Sequence, residues 1–185
     1  GDDGVCSFLF VGRIMKEKGV DEFFSAARTL KAEFGEKVAF DVVGFYEDAY
    51  KEQVDQLVAD GVVRFHGFQT DVHPFYEAAD CVVLPSYHEG MSNVLLEGAA
   101  TGRALITSDI PGCREAVEDG VSGYLCPAQD AEGLTQAMRD FAQQSFDRQV
   151  QMGQNGRALV ERKFDKQLVV AQTLGGLDLP AAVRS

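Results

Sequence analysis

Short runs of β-branched and aromatic residues alternate along the chain with longer stretches whose apolar positions recur every three to four residues. The short runs predict strands at Val5–Val11, Val38–Val43, Val62–Phe65, Cys81–Leu84, Ala104–Ile106 and Gly123–Leu125. The longer stretches predict helices at Val20–Phe34, Asp48–Asp60, Asp71–Ala79, Asn93–Thr101, Gly112–Val117 and Ala131–Gln144. One strand per helix, repeated, argues for an α/β fold with a parallel sheet and helices on both faces. From Phe146 to Phe164 the pattern is helical again, with Val150, Leu159, Val160 and Phe164 as inner positions. Gly153 and Gly156 weaken its middle. Asp165–Leu174 reads as a further short helix and Gly175–Ser185 as a loose tail. At 185 residues a single domain is expected, here over residues 1–174.

Parallel sheets of this kind bind ligands beyond the carboxyl ends of their strands. Arg13, Gly44, His66–Phe68 and Ser86–Glu89 each follow one of these strands, so four segments gather on one edge. Gly12, Gly44 and Gly67 sit at strand ends, where a glycine lets backbone approach a ligand closely or simply makes a turn.

The segment Glu89-Gly-Met-Ser-Asn-Val-Leu-Leu-Glu97 carries the most specific chemistry. It places two carboxylates eight positions apart in a stretch that otherwise reads as interior, although acidic side chains are rarely buried without a partner. Ser92 or Asn93 is suited to cap a following helix. The open amides of Ser92, Asn93 and Val94 would then favour an anion at that helix start. Eight helical residues span ~12 Å, about the length of a nucleotide-sugar from ribose to hexose. The alternative is that Glu89 caps a loop and Glu97 is a solvated helix residue.

Composition narrows the classes of function. The formal net charge is −12, which disfavours nucleic acid and an anionic membrane surface as partners, because phosphate backbones need clustered Lys and Arg. It does not exclude a diphosphate ligand, because scattered surface charge is screened beyond about 10 Å. No apolar run reaches membrane-spanning length. Cys6, Cys81, Cys113 and Cys126 are dispersed, with no C-x-x-C, so neither zinc nor a disulfide is expected. Cys6, Cys81 and Cys126 fall in predicted strands as buried thiols, in keeping with a reducing compartment. No Asp-x-Asp pair and no histidine cluster is present, so no metal site is expected. The first βα turn lacks G-x-G-x-x-G and the chain lacks a Walker pattern, which argues against a nicotinamide or flavin enzyme and against an NTPase.

Pro85-Ser-Tyr-His-Glu-Gly-Met-Ser-Asn-Val-Leu-Leu-Glu97 resembles the E-x7-E segment of retaining glycosyltransferases built from two Rossmann-like domains. Val11-Gly-Arg-Ile-Met-Lys-Glu-Lys-Gly19 resembles their basic phosphate-binding segment. His66-Gly67-Phe68, Asp71-Val72, Tyr76–Asp80, Pro111-Gly112, Glu115–Val117, Asp119-Gly120 and Gly123 resemble the stretches on either side of the E-x7-E. The order and spacing agree from about Phe8 to Phe164. The chain is thereby identified as similar to the C-terminal, donor-binding domain of a glycosyltransferase family 4-like enzyme (glycosyl transferases group 1) of the GT-B type.

The resemblance implies a role for each matching residue. Arg13 and Lys18 would hold the donor diphosphate and offset its charge as it departs. Glu89 would bind hydroxyls of the transferred hexose, and Glu97 those of the ribose. Backbone amides near Ser92, Asn93 and Val94 would touch phosphate or sugar, with Gly90 and Met91 as further donor-binding positions. The base would lie near Gly44 and the Gly67-Phe68 turn, and Gly12 is a further donor-binding position. A nucleoside diphosphate sugar, with a lean to UDP, is implied as substrate, with no cofactor and no metal. The implied reaction moves a hexosyl group to an acceptor hydroxyl in bacterial-type polysaccharide or lipid-linked glycan synthesis. The family's N-terminal acceptor domain is expected to be absent, leaving a half-enzyme that transfers sugar poorly or not at all. The end of the chain would return towards that domain. The implied location is cytoplasmic, peripheral at the inner membrane face for the full-length enzyme. A non-catalytic nucleotide-sugar-binding module and a sugar-nucleotide epimerase of the same architecture are the alternatives.

Overall fold

The computed structural model describes the backbone of residues 1–175 and the side chains of residues 1–164. Six strands form one sheet: β1 (Cys6–Val11), β2 (Val38–Val43), β3 (Arg64–Phe65), β4 (Cys81–Leu84), β5 (Ala104–Ser108) and β6 (Gly123–Cys126). Their spatial order is β3-β2-β1-β4-β5-β6 and every pairing is parallel. The connecting helices are α1 (Val20–Phe34), α2 (Lys51–Ala59), α3 (His73–Ala78), α4 (Asn93–Ala100), α5 (Ala131–Ala142) and α6 (Phe146–Gly175). This is the expected Rossmann-like α/β sheet.

The register shows why both faces are covered. Phe8 and Phe10 project from one face of β1 into an aromatic cluster with Phe40 of β2, Phe23 of α1 and Phe141 of α5. Helices α1 and α5 pack on each other over that face. Leu9, Val82 and Leu105 stand in register on the other face. There Gly98 of α4 lies so close that an added Cβ would come within 3.0 Å of Val82 and 3.1 Å of Leu105. Alternate residues of one strand therefore feed two cores. The near-continuous apolar sequences of β4 and β5 reflect burial on both sides, every residue in each being buried.

Several expected boundaries are corrected, each for a local reason. The predicted strand Val62–Phe65 contracts to Arg64–Phe65, because the amides of Val62 and Val63 donate to Leu57 O at the end of α2. The helix predicted over Gly112–Val117 is only a 3-10 turn, Arg114–Ala116. Gly112 instead packs on the Glu89–Gly90 backbone, where a Cβ would lie 2.5 Å and 2.3 Å from the two carbonyl oxygens. The helix expected from Asp48 opens as a 3-10 turn, Asp48–Tyr50, before α2. Asp71 stands outside α3 and accepts from the His73 amide.

The two helices expected after Phe146 form one continuous α6. Gly153 and Gly156 do not interrupt it. Gly153 lies against the turn after α4, where a Cβ would meet Gly102 O at 2.0 Å, and Gly156 faces Ser122. Leu159 and Val160 are buried as expected and Phe164 packs against the core, whereas Val150 faces solvent. Met152 and Gln149 take inner positions instead. Of the predicted tail, Gly175 ends α6 and the remainder lies outside the described residues. No helix among the described residues is long and apolar enough to cross a membrane.

Candidate functional site at the strand-order reversal

The sheet order reverses between β1 and β4, and the loops leaving these two strands meet there. After β1 the chain runs through Gly12 and Arg13 to a 3-10 turn at Lys16–Lys18. Gly19, with φ +76°, then opens α1. A Cβ on Gly19 would lie 1.9 Å from Pro85 O, so this turn seats directly on the exit of β4. The amide of Tyr87 donates to Glu17 O at 2.8 Å, and its hydroxyl donates to Glu22.

These contacts bring Lys18 and Glu89 together. Lys18 Nζ donates to Glu89 Oε1 at 2.6 Å and Ser86 Oγ donates to the same oxygen at 2.9 Å. The Glu89 side chain is 12% exposed and that of Lys18 30%. The expected interior position of Glu89 is thus observed, and its cation is a residue 71 positions away in sequence. An anion placed here meets a lysine already oriented by Glu89 and a carboxylate that keeps a hydroxyl partner when the lysine turns away.

Helix α4 begins just beyond. Ser92 is its N-cap, its buried hydroxyl accepting from Leu95 N at 3.3 Å. The Ser92 side chain is therefore committed to the helix, and only its amide remains for a ligand. Among the described residues, the amides of Ser92, Asn93 and Val94 have no protein acceptor. They form the start of an anion site. Gly90, Met91 and Asn93 are exposed beside them and Val94 is half-buried. Glu97 lies one turn further on and is exposed, so the segment is interior only as far as Glu89.

A second subsite lies on the β2 side. Val11, Gly12, Arg13, Val43, Gly44, Phe45, Phe68, Gln69 and Val72 line a cavity of about 170 Å³. Gly12 and Gly44 form part of its wall and Gly67 supports them: Gly44 N donates to Gly67 O at 2.8 Å, and Gly44 abuts Gly12 O. Phe45 and Phe68, both in its lining, pack against each other with ring centroids 6.1 Å apart and planes tilted by 57°, and both are half or more exposed. The Arg13 guanidinium lies 5.6 Å over the Phe45 ring and 3.7 Å from Glu47. These exposed aromatic faces, with the Arg13 guanidinium beside them, offer a surface on which a flat ring can stack. Larger hollows occur elsewhere. In the one beside β3, Asp41 is already engaged by Arg64 and His66.

All the residues expected at the site thus lie on this one edge. Phe45, Gln69 and Val72 were not anticipated, and Ser86 was expected only as part of the Ser86–Glu89 segment. Phe45 had a signal, being an aromatic directly after a strand-end glycine. The role of Ser86 as a donor to Glu89 had none, since it needs the fold of its loop. The four cysteines are buried free thiols. Burial pushes Cys6 and Cys126 up to about 12 and Cys113 to about 11, and raises Cys81 as well, so none is an available nucleophile at neutral pH. Among the described residues no group of three or more His, Cys, Asp or Glu could hold a metal.

Comparison with known proteins shows what the chain is similar to. The chain is 31% identical over 128 residues to an N,N'-diacetylbacillosaminyl-diphospho-undecaprenol alpha-1,3-N-acetylgalactosaminyltransferase of Campylobacter jejuni, covering 69% of this chain and 33% of that protein. It is 34% identical over 139 residues to a glycogen synthase of Mycobacterium tuberculosis, covering 74% and 34%. The chain therefore spans about a third of the length of these relatives. It superposes with a TM-score of 0.76 and 26% identity on the C-terminal domain of a glycosyl transferase group 1 family protein from Francisella tularensis, covering 88% of this chain and 89% of that one. The sequence profile of "Glycosyl transferases group 1" matches residues 6–144, from the first strand to the end of α5. The chain belongs to the glycosyl transferases group 1 family, and its sheet is a Rossmann-like domain of the GT-B architecture.

Proposed function

We propose that this chain is the donor-binding domain of a retaining glycosyltransferase. The full-length enzyme moves a hexosyl group from a nucleoside diphosphate sugar, with UDP as the expected carrier, to an acceptor hydroxyl in polysaccharide or lipid-linked glycan synthesis. The observation that supports this most strongly is the convergence of Lys18, Glu89, the open amides of α4 and the Phe45–Phe68 cavity on one sheet edge. The base lies in that cavity, the ribose at Glu97 and the diphosphate between Arg13, Lys18 and the α4 amides. The hexose lies at Glu89.

During transfer the bond from the anomeric carbon to the phosphate oxygen breaks and its electron pair leaves with the diphosphate, while the acceptor hydroxyl oxygen bonds to that carbon and its proton passes to the departing diphosphate. Arg13, Lys18 and the amide dipoles are positioned to stabilise that charge without a metal ion. Glu89 accepts hydrogen bonds from the sugar and orients it, and does not act as a general acid. Acceptor contacts come from a partner domain, so the domain alone binds donor and transfers poorly or not at all. The buried free thiols are consistent with action in the reducing cytoplasm, at the inner face of the membrane where lipid-linked acceptors lie.

The test is NMR of the products formed by the full-length protein with an α-linked UDP-hexose. An α-linked product is expected in the presence of EDTA. A β-linked product would overturn the retaining assignment. Epimerised free donor without transfer would favour the epimerase reading, and turnover by the isolated domain would contradict the proposed division of labour.

A further inference from the structure

One buried polar atom beside the site is unaccounted for. Tyr76 is 1% exposed, and its hydroxyl oxygen is buried with no hydrogen-bond partner among the described residues. Burial of an unpaired hydroxyl opposes folding, and such atoms are few in native proteins. Its place in the fold is informative. Val72, which lines the Phe45–Phe68 cavity, directly precedes α3, and Tyr76 follows four residues later, on the same side of the helix. Among the described groups, Glu97 of α4 is the one whose charge acts on this phenol. Burial first, and Glu97 second, raise its pKa well above that of an ordinary tyrosine. The hydroxyl therefore remains a donor at every working pH, near a carboxylate with which it completes no hydrogen bond.

We propose that Tyr76 is the positioning residue for Glu97. When a nucleoside diphosphate binds with its base in that cavity, the Tyr76 hydroxyl donates to one oxygen of the Glu97 carboxylate. The other oxygen is thereby fixed to accept from the ribose hydroxyls. The otherwise unpaired hydroxyl is then satisfied in the complex, so part of the cost of leaving it unpaired returns as affinity for ribose. This rests on the assignment of Glu97 to the ribose.

The experiment compares Tyr76→Phe, Glu97→Ala and the unaltered chain by calorimetry. The probes are whichever of UDP, GDP and ADP binds best, and its 2′,3′-dideoxy analogue. Tyr76→Phe is expected to weaken the diphosphate about tenfold, to leave the dideoxy analogue within about twofold, and to leave Tm unchanged or raised. Equal weakening of both probes, or a lowered Tm, would show a packing role and overturn the inference. Unchanged binding by Tyr76→Phe, with a selective loss in Glu97→Ala, would overturn it and leave the ribose assignment standing. Unchanged binding by Glu97→Ala would remove the ribose assignment itself. No binding of any of the three diphosphates by the unaltered chain would overturn both.

Discussion

Lys18→Ala in the full-length enzyme is expected to lower kcat/KM by about 10²–10³-fold, the usual effect of losing one preorganised group that meets developing charge. The loss in kcat/KM should be at least as large as the loss in donor affinity, because charge on the diphosphate is greater in the transition state than in the bound donor. A second effect adds to it. Lys18 Nζ is the cation on Glu89 Oε1, and without it the largely buried carboxylate keeps only the Ser86 hydroxyl. The two residues should therefore be coupled, with Lys18→Ala/Glu89→Gln costing less than the sum of the single changes. Steady-state kinetics on the four variants measures both quantities. An unchanged kcat/KM for Lys18→Ala would remove it from the machinery.

Gly19→Ala is expected to lose about 2–5 kcal/mol of stability, combining a left-handed backbone conformation with overpacking. For a domain of this size that lowers Tm by roughly 5–15 °C. The added methyl would lie 1.9 Å from the Pro85 carbonyl oxygen, forcing apart the loops that carry Lys18 and Glu89. Gly61 is the control. It has a similar φ of +71° but open space around it, so Gly61→Ala should lose only the backbone part, about 1–2 kcal/mol. Urea or thermal unfolding of both variants separates the clash from the dihedral cost. Equal losses would contradict the close approach of the two loops.

The strands and most helices were legible because parallel strands buried on both faces read as short apolar runs, and β4 and β5 are such runs. Periodicity failed where backbone hydrogen bonds decide the outcome. Val62 and Val63 are as β-prone as any residue in the chain, yet their amides close the end of α2. Gly153 and Gly156 read as helix weakeners, yet they let α6 lie against the turn after α4 and the Ser122 loop. At the site, Arg13 and Glu89 could be read as strand-end chemistry, Glu97 from its spacing to Glu89, and Lys18 from the family resemblance. The Lys18–Glu89 pair could not, because it depends on β1 lying beside β4, and strand order leaves no mark in local pattern. The contact of Phe45 with Phe68, and the unpaired hydroxyl of Tyr76, likewise arise only when segments distant in sequence are packed together.

Calorimetric titration of this domain with UDP, GDP and ADP, first without added metal and then with EDTA, tests the central claim most directly. Preferential binding of UDP that survives EDTA and falls at least tenfold in Glu97→Ala is the predicted result, a loss of about 1.4 kcal/mol or more. Failure of all three diphosphates to bind, or UDP binding that vanishes with EDTA and is indifferent to Glu97, would contradict a donor site built from Arg13, Lys18, Glu89 and the start of α4.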